Sequence, residues 1–532
     1  MLNDAGKRAA AGTAAAAITL AVAGAAALGT PADAAPALRP EPRPAGLAWR
    51  SCPAKDPVEG ARLKGLQCAS LRVPLDYADP AGRQITLELS RARHTAPRSK
   101  GVVLLNRGGP GAHGRDLSGF FAESLPKRVA ASYDWIGFDP RGVGASRPEL
   151  VCDPAYQSPG RARPDSVPAS AAEEEAWKAR ARHYAGDCAR RYGAILPHMG
   201  TADSARDMDA VRAALGQQKI SYFGYSYGTY LGAVYATMYP QRVRRMVLDS
   251  VVRPSGVWYG DNLDQNVAFE KRIRAYFAWI ARHHKTYWLG DSGRKVAAAY
   301  ARVRAALKAK PIDGRVGPTE LDEGFLADGY GDYTWAAHAR ALSAYAVRRD
   351  PGPLRKVWQP PSRLDQNNYT VYNAVQCRDA AWPRAWGRWH ADSERLYRRG
   401  YRFETWSNTW YNAPCAFWGV PGGPPPRVGG GSALPPILMV QATEDAATPY
   451  PGVLEMHRRF PTSRLLVQVG GRNHGVSLSG DRCVDGSVAA YLGDGRLPAN
   501  RPGPDQKCAA GPEPVAAKAA KGGRAEQAAA HR

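Results

Sequence analysis

The stretch Ile-Ser-Tyr-Phe-Gly-Tyr-Ser-Tyr-Gly-Thr-Tyr at residues 220–230 decides the fold. An apolar, β-branched and aromatic run leads into Gly224-x-Ser226-x-Gly228, and an alanine-rich stretch follows, which predicts a strand, a tight turn and a helix. Both glycines are expected because a Cβ there would collide with neighbouring backbone. Such a turn would expose the Ser226 hydroxyl as a nucleophile and aim the Tyr227 backbone NH at a developing oxyanion. The alternative is an ordinary glycine-rich turn.

A serine nucleophile needs a base and an orienting acid, which we expect later in the chain. Asp445 ends an apolar run and is the predicted acid, with Glu444 as its rival. The histidines that follow Asp445 are His457, His474 and His531. His457 lies in a helical surface pattern and His531 in the tail, whereas His474 follows a strand and a glycine-rich loop. The sequence therefore predicts His474 as the base.

A second oxyanion donor is predicted on the loop Arg107-Gly-Gly-Pro-Gly-Ala-His-Gly114, which follows the apolar strand at residues 101–106. The backbone NH of Gly109 is the first choice and that of Gly108 the next.

The same loop also matches a dinucleotide-binding pattern. Gly109, Gly111 and Gly114 fit G-x-G-x-x-G, and Asp134 or Asp139 could bind a ribose. Pro110 interrupts the pattern and no convincing helix follows, so we predict no cofactor.

The N-terminus predicts export. Lys7 and Arg8 precede an apolar stretch from about Ala9 to Leu28, and Ala32-Asp-Ala34 fits a cleavage site, so residues 1–34 are predicted to be a signal peptide. No other segment reaches about eighteen apolar residues, so no membrane span is expected after signal removal. The sequence predicts a secreted, extracellular protein.

The cysteine pattern agrees with an oxidising compartment. The eight cysteines are Cys52, Cys68, Cys152, Cys188, Cys377, Cys415, Cys483 and Cys508. Their spacing favours four bridges between sequential neighbours, although eight cysteines allow many pairings. Neither C-x-x-C nor H-E-x-x-H occurs, so no metal site is predicted.

The net charge of +24 could indicate a nucleic-acid partner. The arginines are scattered as singles and pairs, such as Arg190-Arg191, and are not concentrated in one run. We therefore predict no nucleic acid, and instead a loose association with anionic cell-wall polymers.

Alternating strands and helices predict an α/β fold with a mostly parallel sheet. The predicted strands lie at about Ala69–Pro74, Ile85–Ser90, Val102–Asn106, Trp135–Asp139, Ile220–Phe223, Arg245–Asp249, Ile437–Gln441 and Leu465–Val469. A mainly helical insertion between the sixth and seventh strands holds eleven of the fourteen tryptophans and predicts a cap. The predicted organisation is a core at 35–253, a cap at 254–433, a second core part at 434–508 and a disordered tail at 509–532.

Five stretches together resemble one family, the secreted tripeptidyl aminopeptidases of the α/β-hydrolase fold, which are relatives of the proline iminopeptidases. They are Asn106–Gly111, Gly137–Ser146, Thr201–Arg212, Phe223–Gly232 and Met246–Asp249. The C-terminal part resembles the family's TAP-like region, with Asp445 and His474 at the acid and base positions. The resemblance covers about residues 48–508. Ala442, Ser250 and the pair Arg472-Asn473 stand where the family usually has glycine, and none of them removes a catalytic group.

The resemblance implies a serine exopeptidase that releases short peptides, with the tripeptide as the expected unit, from substrates with a free N-terminus. Ser226 would attack the scissile carbonyl, His474 would move the proton and Asp445 would hold the imidazole. The NH groups of Tyr227 and Gly109 would hold the oxyanion.

A substrate ammonium needs a carboxylate under the cap. Asp379 is the predicted partner because Cys377 would fix its loop if bridged, with Glu270 and then Asp264 as alternatives. Two other functions stay open: an esterase or other acyl hydrolase on the same fold, and a non-catalytic protein with a basic surface, against which the intact triad argues.

Overall fold

One mixed sheet forms the centre of the computed structural model, which describes residues 46–516. Its strands are β1 (Arg50–Ser51), β2 (Gln67–Pro74), β3 (Gln84–Ala92), β4 (Val102–Asn106), β5 (Asp134–Asp139), β6 (Ile220–Tyr225), β7 (Val243–Asp249), β8 (Leu438–Ala442), β9 (Arg464–Val469) and β10 (Gln506–Ala509). They lie in the order β1-β2-β3-β5-β4-β6-β7-β8-β9-β10. Strands β1, β2, β3 and β5 pair antiparallel in that order, and strands β4 to β10 are parallel to one another. The predicted, mostly parallel α/β sheet is confirmed.

Seventeen α-helices occur among the described residues. They are α1 (Leu117–Ser124), α2 (Lys127–Ala130), α3 (Ala171–Tyr192), α4 (Thr201–Ala214), α5 (Tyr227–Met238), α6 (Tyr259–Arg282), α7 (His284–Tyr287), α8 (Gly293–Ala309), α9 (Pro318–Tyr330), α10 (Trp335–Arg348), α11 (Gly352–Arg355), α12 (Arg363–Asp379), α13 (Trp386–Arg398), α14 (Thr405–Asn412), α15 (Pro414–Phe417), α16 (Pro451–Arg459) and α17 (Arg482–Asp494).

Apolar side chains cover both faces of the parallel strands. On one face α1, α2 and α17 contribute to a core with Val103, Leu105 and Val440. On the other face α4 and α5 pack with Leu104 and Met439. Strands that are buried on both faces need continuous apolar runs, which explains the fully buried sequences of β4 and β8.

The helices α6 to α15 lie between β7 and β8 and divide into two parts. Residues of α6 to α11 form a hydrophobic cluster of their own, centred on Tyr276, Trp279 and Trp335. Residues of α12, α13 and α15 instead join the main core, for example Tyr369 and Cys415, whereas Trp406 and Trp410 of α14 pack with Trp177 of α3. The insertion is therefore partly an independent layer and partly an extension of the core.

All eight cysteines are paired, and the predicted neighbour pairing is confirmed. The bridges are Cys52–Cys68, Cys152–Cys188, Cys377–Cys415 and Cys483–Cys508. The third bridge joins α12 to α15, and the fourth joins α17 to β10.

The chain ends differ in part from the expectation. Strand β10 ends at Ala509, and the segment that follows is hydrogen-bonded through Gly511, Pro512 and Pro514. The predicted disorder is therefore wrong for residues 509–516, because backbone carbonyls of this segment accept hydrogen bonds from Arg472 and Trp279, which are distant in sequence. Residues 517–532 and the predicted signal peptide lie outside the described residues. Within 46–516, no helix is both long and apolar enough to cross a membrane.

Candidate active site

Ser226 occupies a strained turn between β6 and α5. Its φ of 54° and ψ of −126° are unusual for a residue with a side chain. A Cβ on Gly224 would lie 2.5 Å from the Gly228 carbonyl oxygen, and one on Gly228 would lie 2.7 Å from Asn106 Oδ1. Close backbone approach thus requires both glycines, as the sequence predicted.

The loop after β4 packs directly against this turn. Gly108 has a φ of 108°, and a Cβ there would lie 2.9 Å from the Cβ of Ser226. Gly109, Ser226 and Tyr227 line the same cavity. The backbone NH groups of Gly109 and Tyr227 have no acceptor within residues 46–516. Both predicted oxyanion donors are therefore next to the serine and available.

Asp134 and Asp139, the two acids that could bind a ribose, are both hydrogen-bonded to other residues of the protein. Asp139 accepts hydrogen bonds from the backbone NH groups of Gly114 and Ala145 and from the Arg115 side chain. Asp134 bonds to His94. The glycine-rich loop is thus fixed by Asp139 next to Ser226, which disfavours the dinucleotide interpretation.

Asp445 and His474 meet as the sequence predicted. His474 Nδ1 lies 3.0 Å from Asp445 Oδ1 and 2.9 Å from Oδ2. The buried carboxylate also accepts hydrogen bonds from the backbone NH groups of Ala447 and Thr448 and from the Thr448 hydroxyl. Burial alone would raise the pKa of Asp445, but the charge and hydrogen bond of His474 and the bonds from Thr448 outweigh it and lower the pKa. The rival Glu444 is exposed.

Backbone contacts bring the His474 loop to the strand end that holds the serine. Ser226 N donates to the Asp249 carbonyl at the end of β7. The Asp249 carboxylate accepts from the backbone NH groups of Val476 and Ser477, and Ser250 Oγ accepts from Gly475 N. The departure from glycine at Ser250, which has a φ of 61°, thus supplies a hydroxyl that holds this loop.

The insertion holds the other side of the same loop. His474 N donates to the Tyr330 carbonyl at the end of α9. Asn473 Oδ1 accepts from Asp332 N at 2.9 Å, and Arg472 Nε lies 2.6 Å from Asp332 Oδ2. Arg472 and Asn473, which also depart from the family pattern, therefore connect the base loop to the cap.

A cavity of about 320 Å³ lies over Ser226. The core contributes Gly109, Tyr227 and Thr448 to its walls, and the insertion contributes residues of α6, α9, α12 and α14. The volume is in the range of small-molecule sites.

The predicted amine-binding residues lie behind the cavity wall. Neither Asp379 nor Glu270 is among the residues that line the cavity. Asp379 accepts from the backbone NH and hydroxyl of Thr201 and from the Trp258 indole. These three hydrogen bonds engage the Asp379 carboxylate within the protein, outside the cavity lining.

Glu270 is used in a similar way. Its carboxylate accepts from Arg274 and from the backbone NH groups of Arg402 and Phe403. The third candidate, Asp264, does line the cavity, and it forms an ion pair with Arg253 at 2.9 Å.

Glu404 is a buried acid on the cavity wall that sequence reasoning did not include among the amine-binding candidates. It lines the cavity just before α14, is 8% exposed, and its Oε2 is buried without a hydrogen-bond partner. The other acids on the cavity wall each approach an arginine: Asp261 and Asp264 approach Arg253, Asp322 approaches Arg304, and Glu323 approaches Arg163. No cation pairs with Glu404 within residues 46–516, and burial raises its pKa to about 8.

This geometry defines a class of protein. A serine on a strained strand-to-helix turn, a histidine held by a buried aspartate, and two free NH groups beside the serine are the parts of a serine hydrolase with the α/β-hydrolase fold. The family model of the alpha/beta hydrolase fold matches residues 101–481.

Relatives narrow the class to one family. The chain is 42% identical over 469 residues to the tripeptidyl aminopeptidase of Streptomyces lividans, with 86% of each chain covered. It is 30% identical to serine protease Hip1 of Mycobacterium tuberculosis, with 85% of this chain and 89% of that protein covered. It is 31% identical to carboxylesterase B of the same species, with 85% and 88% covered. The chain belongs to the α/β-hydrolase family of serine peptidases that contains the Streptomyces tripeptidyl aminopeptidases.

Proposed function

We propose that this protein is an exported serine exopeptidase that removes tripeptides from the free N-terminus of peptides. The observation that carries the proposal is Glu404, a buried carboxylate without a cationic partner in the cavity that also contains Ser226. The names of the Streptomyces relatives support the tripeptide unit. Four disulfides and the signal-like N-terminus support export.

In the proposed reaction the same groups act in both halves, which are the formation and the hydrolysis of the acyl-enzyme. His474 Nδ1 is bound to Asp445, so Nε2 is the atom that takes the Ser226 proton as Oγ attacks the scissile carbonyl. The NH groups of Tyr227 and Gly109 hold the oxyanion. His474 then protonates the leaving amine, and water releases the tripeptide from the acyl-enzyme.

Beyond the triad, an exopeptidase needs a partner for the substrate ammonium, and Glu404 supplies it. A buried ammonium without a partner is costly, and so is a buried carboxylate without one. The ammonium of a bound peptide would pair with Glu404 and stabilise its carboxylate form, so the cost of burying either charge falls when the free N-terminus binds. Asp379 and Glu270 then have a supporting role behind the cavity wall. Asp379 accepts a hydrogen bond from the Trp258 indole, and Glu270 accepts from the backbone NH groups of Arg402 and Phe403.

Acetylating the N-terminus of a tripeptide substrate is expected to lower kcat/KM by at least about a hundredfold, or roughly 2.7 kcal/mol. Acetylation removes the charge and leaves Glu404 buried against a neutral group. Fluorogenic di-, tri- and tetrapeptides, each with free and blocked amines, measure the effect and the preferred length. Equal turnover of free and acetylated tripeptides would refute the exopeptidase proposal while leaving a general peptidase possible.

Glu404→Gln is expected to remove most of the preference for free over acetylated tripeptides, while Ser226 remains reactive to a fluorophosphonate. Below pH about 8 the Glu404 carboxyl of the free enzyme becomes neutral, because its pKa is raised. The wild-type preference should therefore shrink as the pH falls through that value. Asp264→Asn is the matched control, because Asp264 lines the same cavity but is paired with Arg253. An unchanged preference in Glu404→Gln would exclude this residue as the ammonium partner.

An esterase is the second candidate function, supported by the 31% identity to a protein named carboxylesterase B. The same triad hydrolyses esters, since the fold does not determine the substrate. Matched ester and amide substrates with the same free-amine tripeptide separate the two. An enzyme that accepts N-blocked and simple acyl esters, and leaves the peptides intact, is the esterase.

A further inference from the structure

A second cluster of ionisable side chains lies beside the oxyanion loop and takes no part in the proposed reaction. It consists of Glu59, His113 and Asp116, each of which offers one ligand atom, and these atoms all lie within 4.8 Å of one another. His113 and Asp116 belong to the stretch that continues the oxyanion loop into α1. Glu59 comes from the N-terminal segment that the Cys52–Cys68 bridge closes.

Two of the three side chains, Glu59 and His113, have polar atoms that are buried without hydrogen bonds. Glu59 is 3% exposed, and within the described ranges neither of its carboxylate oxygens has a hydrogen-bond partner. The same holds for His113 Nε2, which lies 3.4 Å from Glu59 Oε2 in a geometry that makes no hydrogen bond. Buried polar groups of folded proteins are almost always satisfied, so a carboxylate and an imidazole nitrogen that face each other unsatisfied indicate a third participant.

The surrounding arginines are not the missing partner of Glu59 and His113. Arg115 is engaged by Asp56 and Asp139, and Arg107 by Asp116 and the His113 carbonyl. Arg62, whose side chain is 42% exposed, approaches Glu59 only to 3.9 Å. The charge of the Glu59 carboxylate is therefore not matched by a directly bonded cation.

We propose that Glu59, His113 and Asp116 bind a divalent transition-metal cation, Zn²⁺ or Mn²⁺. One imidazole and two carboxylates are a donor set that suits these ions, whereas Ca²⁺ prefers oxygen ligands only. Ligand atoms lie about 2 Å from Zn²⁺, so side chains already within 4.8 Å of each other need only small rotations to share one ion. The absence of H-E-x-x-H and C-x-x-C from the sequence does not bear on this site, because its ligands come from two distant segments.

The bound cation would join the N-terminal segment to the loop that carries Gly109. His113 lies four residues after Gly109, and Gly114 N is already fixed by Asp139. Metal binding would thus stabilise the folded protein and hold the oxyanion loop, as a structural and not a reacting group.

The test uses tag-free full-length protein that has been treated with a chelator and dialysed. Isothermal titration with ZnCl₂ or MnCl₂ should give a stoichiometry near one per chain, and saturating metal should raise Tm by at least about 2 °C. Binding of Mn²⁺ should reduce the six-line electron paramagnetic resonance signal of the free aqueous ion. Glu59→Gln and His113→Gln should lose both the binding and the Tm shift, whereas Glu123→Gln, an exposed acid on α1, should keep them.

Two results would overturn the proposal. The first is wild-type protein that binds neither ion at millimolar concentration, in which case Glu59 and His113 share a proton. The second is equal binding and an equal Tm shift in wild type and in both variants, which would place the metal at another surface site such as His183 with Asp187. Because calorimetry and resonance are measured on the wild type, the proposal stays testable even if a variant folds poorly.

Discussion

Ser226→Ala and His474→Ala are each expected to lower kcat by roughly four to six orders of magnitude, with the fold unchanged. Alanine removes either the attacking oxygen or the group that takes its proton, and no other described side chain in the cavity offers both in this arrangement. The double variant should be little worse than either single variant, because the two residues act as one unit. Release of the fluorophore from a free-amine tripeptide, normalised to folded protein, measures the effect.

The strained backbone at Ser226 gives this prediction a structural control. Alanine can adopt the same backbone as serine, so Tm and circular dichroism should match the wild type while fluorophosphonate labelling disappears. Peptidase activity near the wild-type level in folded Ser226→Ala protein would contradict the whole assignment.

Asp445→Asn is expected to cost about four orders of magnitude in kcat, because an amide can no longer hold the imidazole in the tautomer that accepts the serine proton. Glu444→Gln is the matched control: it changes the neighbouring acid in the same way, but that side chain is exposed and makes no hydrogen bond to His474. We expect activity within about twofold of wild type for this variant, as is usual for exposed substitutions. Initial rates at saturating tripeptide decide between the two residues, and a larger loss in Glu444→Gln would make Glu444 the acid.

The local parts of the site could be predicted from the sequence because each is fixed by neighbours along the chain. The turn at Ser226 needs glycines two residues away on either side, and the close approaches of Gly224 and Gly228 confirm the steric reason. Asp445 and His474 each follow a predicted strand, and parallel strands bring their ends to one edge of the sheet. Sequential cysteines paired as their spacing indicated.

The cavity wall could not be predicted in the same way, because burial there is decided by packing between distant helices. Cys377 is bridged as expected, but the Asp379 carboxylate two residues later accepts hydrogen bonds from Thr201 and Trp258, behind the wall. Glu404 precedes a short helix, where an acid usually caps the end in solvent. Nothing in the local sequence of Glu404 indicates that the chain buries it over Ser226.

The strands β1 and β10 were missed for a related reason. The first has only two residues, and the second, Gln-Lys-Cys-Ala, has no apolar run. Each lies at an edge of the sheet, where pairing with one neighbour and a nearby disulfide replaces the hydrophobic pattern that identifies central strands.

The hydrogen bonds that join the His474 loop to α9 make the arrangement of the base conditional on a docked cap. Any motion that lifts α9 away from the sheet breaks the bond from His474 N to the Tyr330 carbonyl and the contacts of Asp332 with Arg472 and Asn473. An enzyme whose cap has lifted would therefore have a poorly supported base. The same few contacts would therefore couple catalysis to the position of the cap.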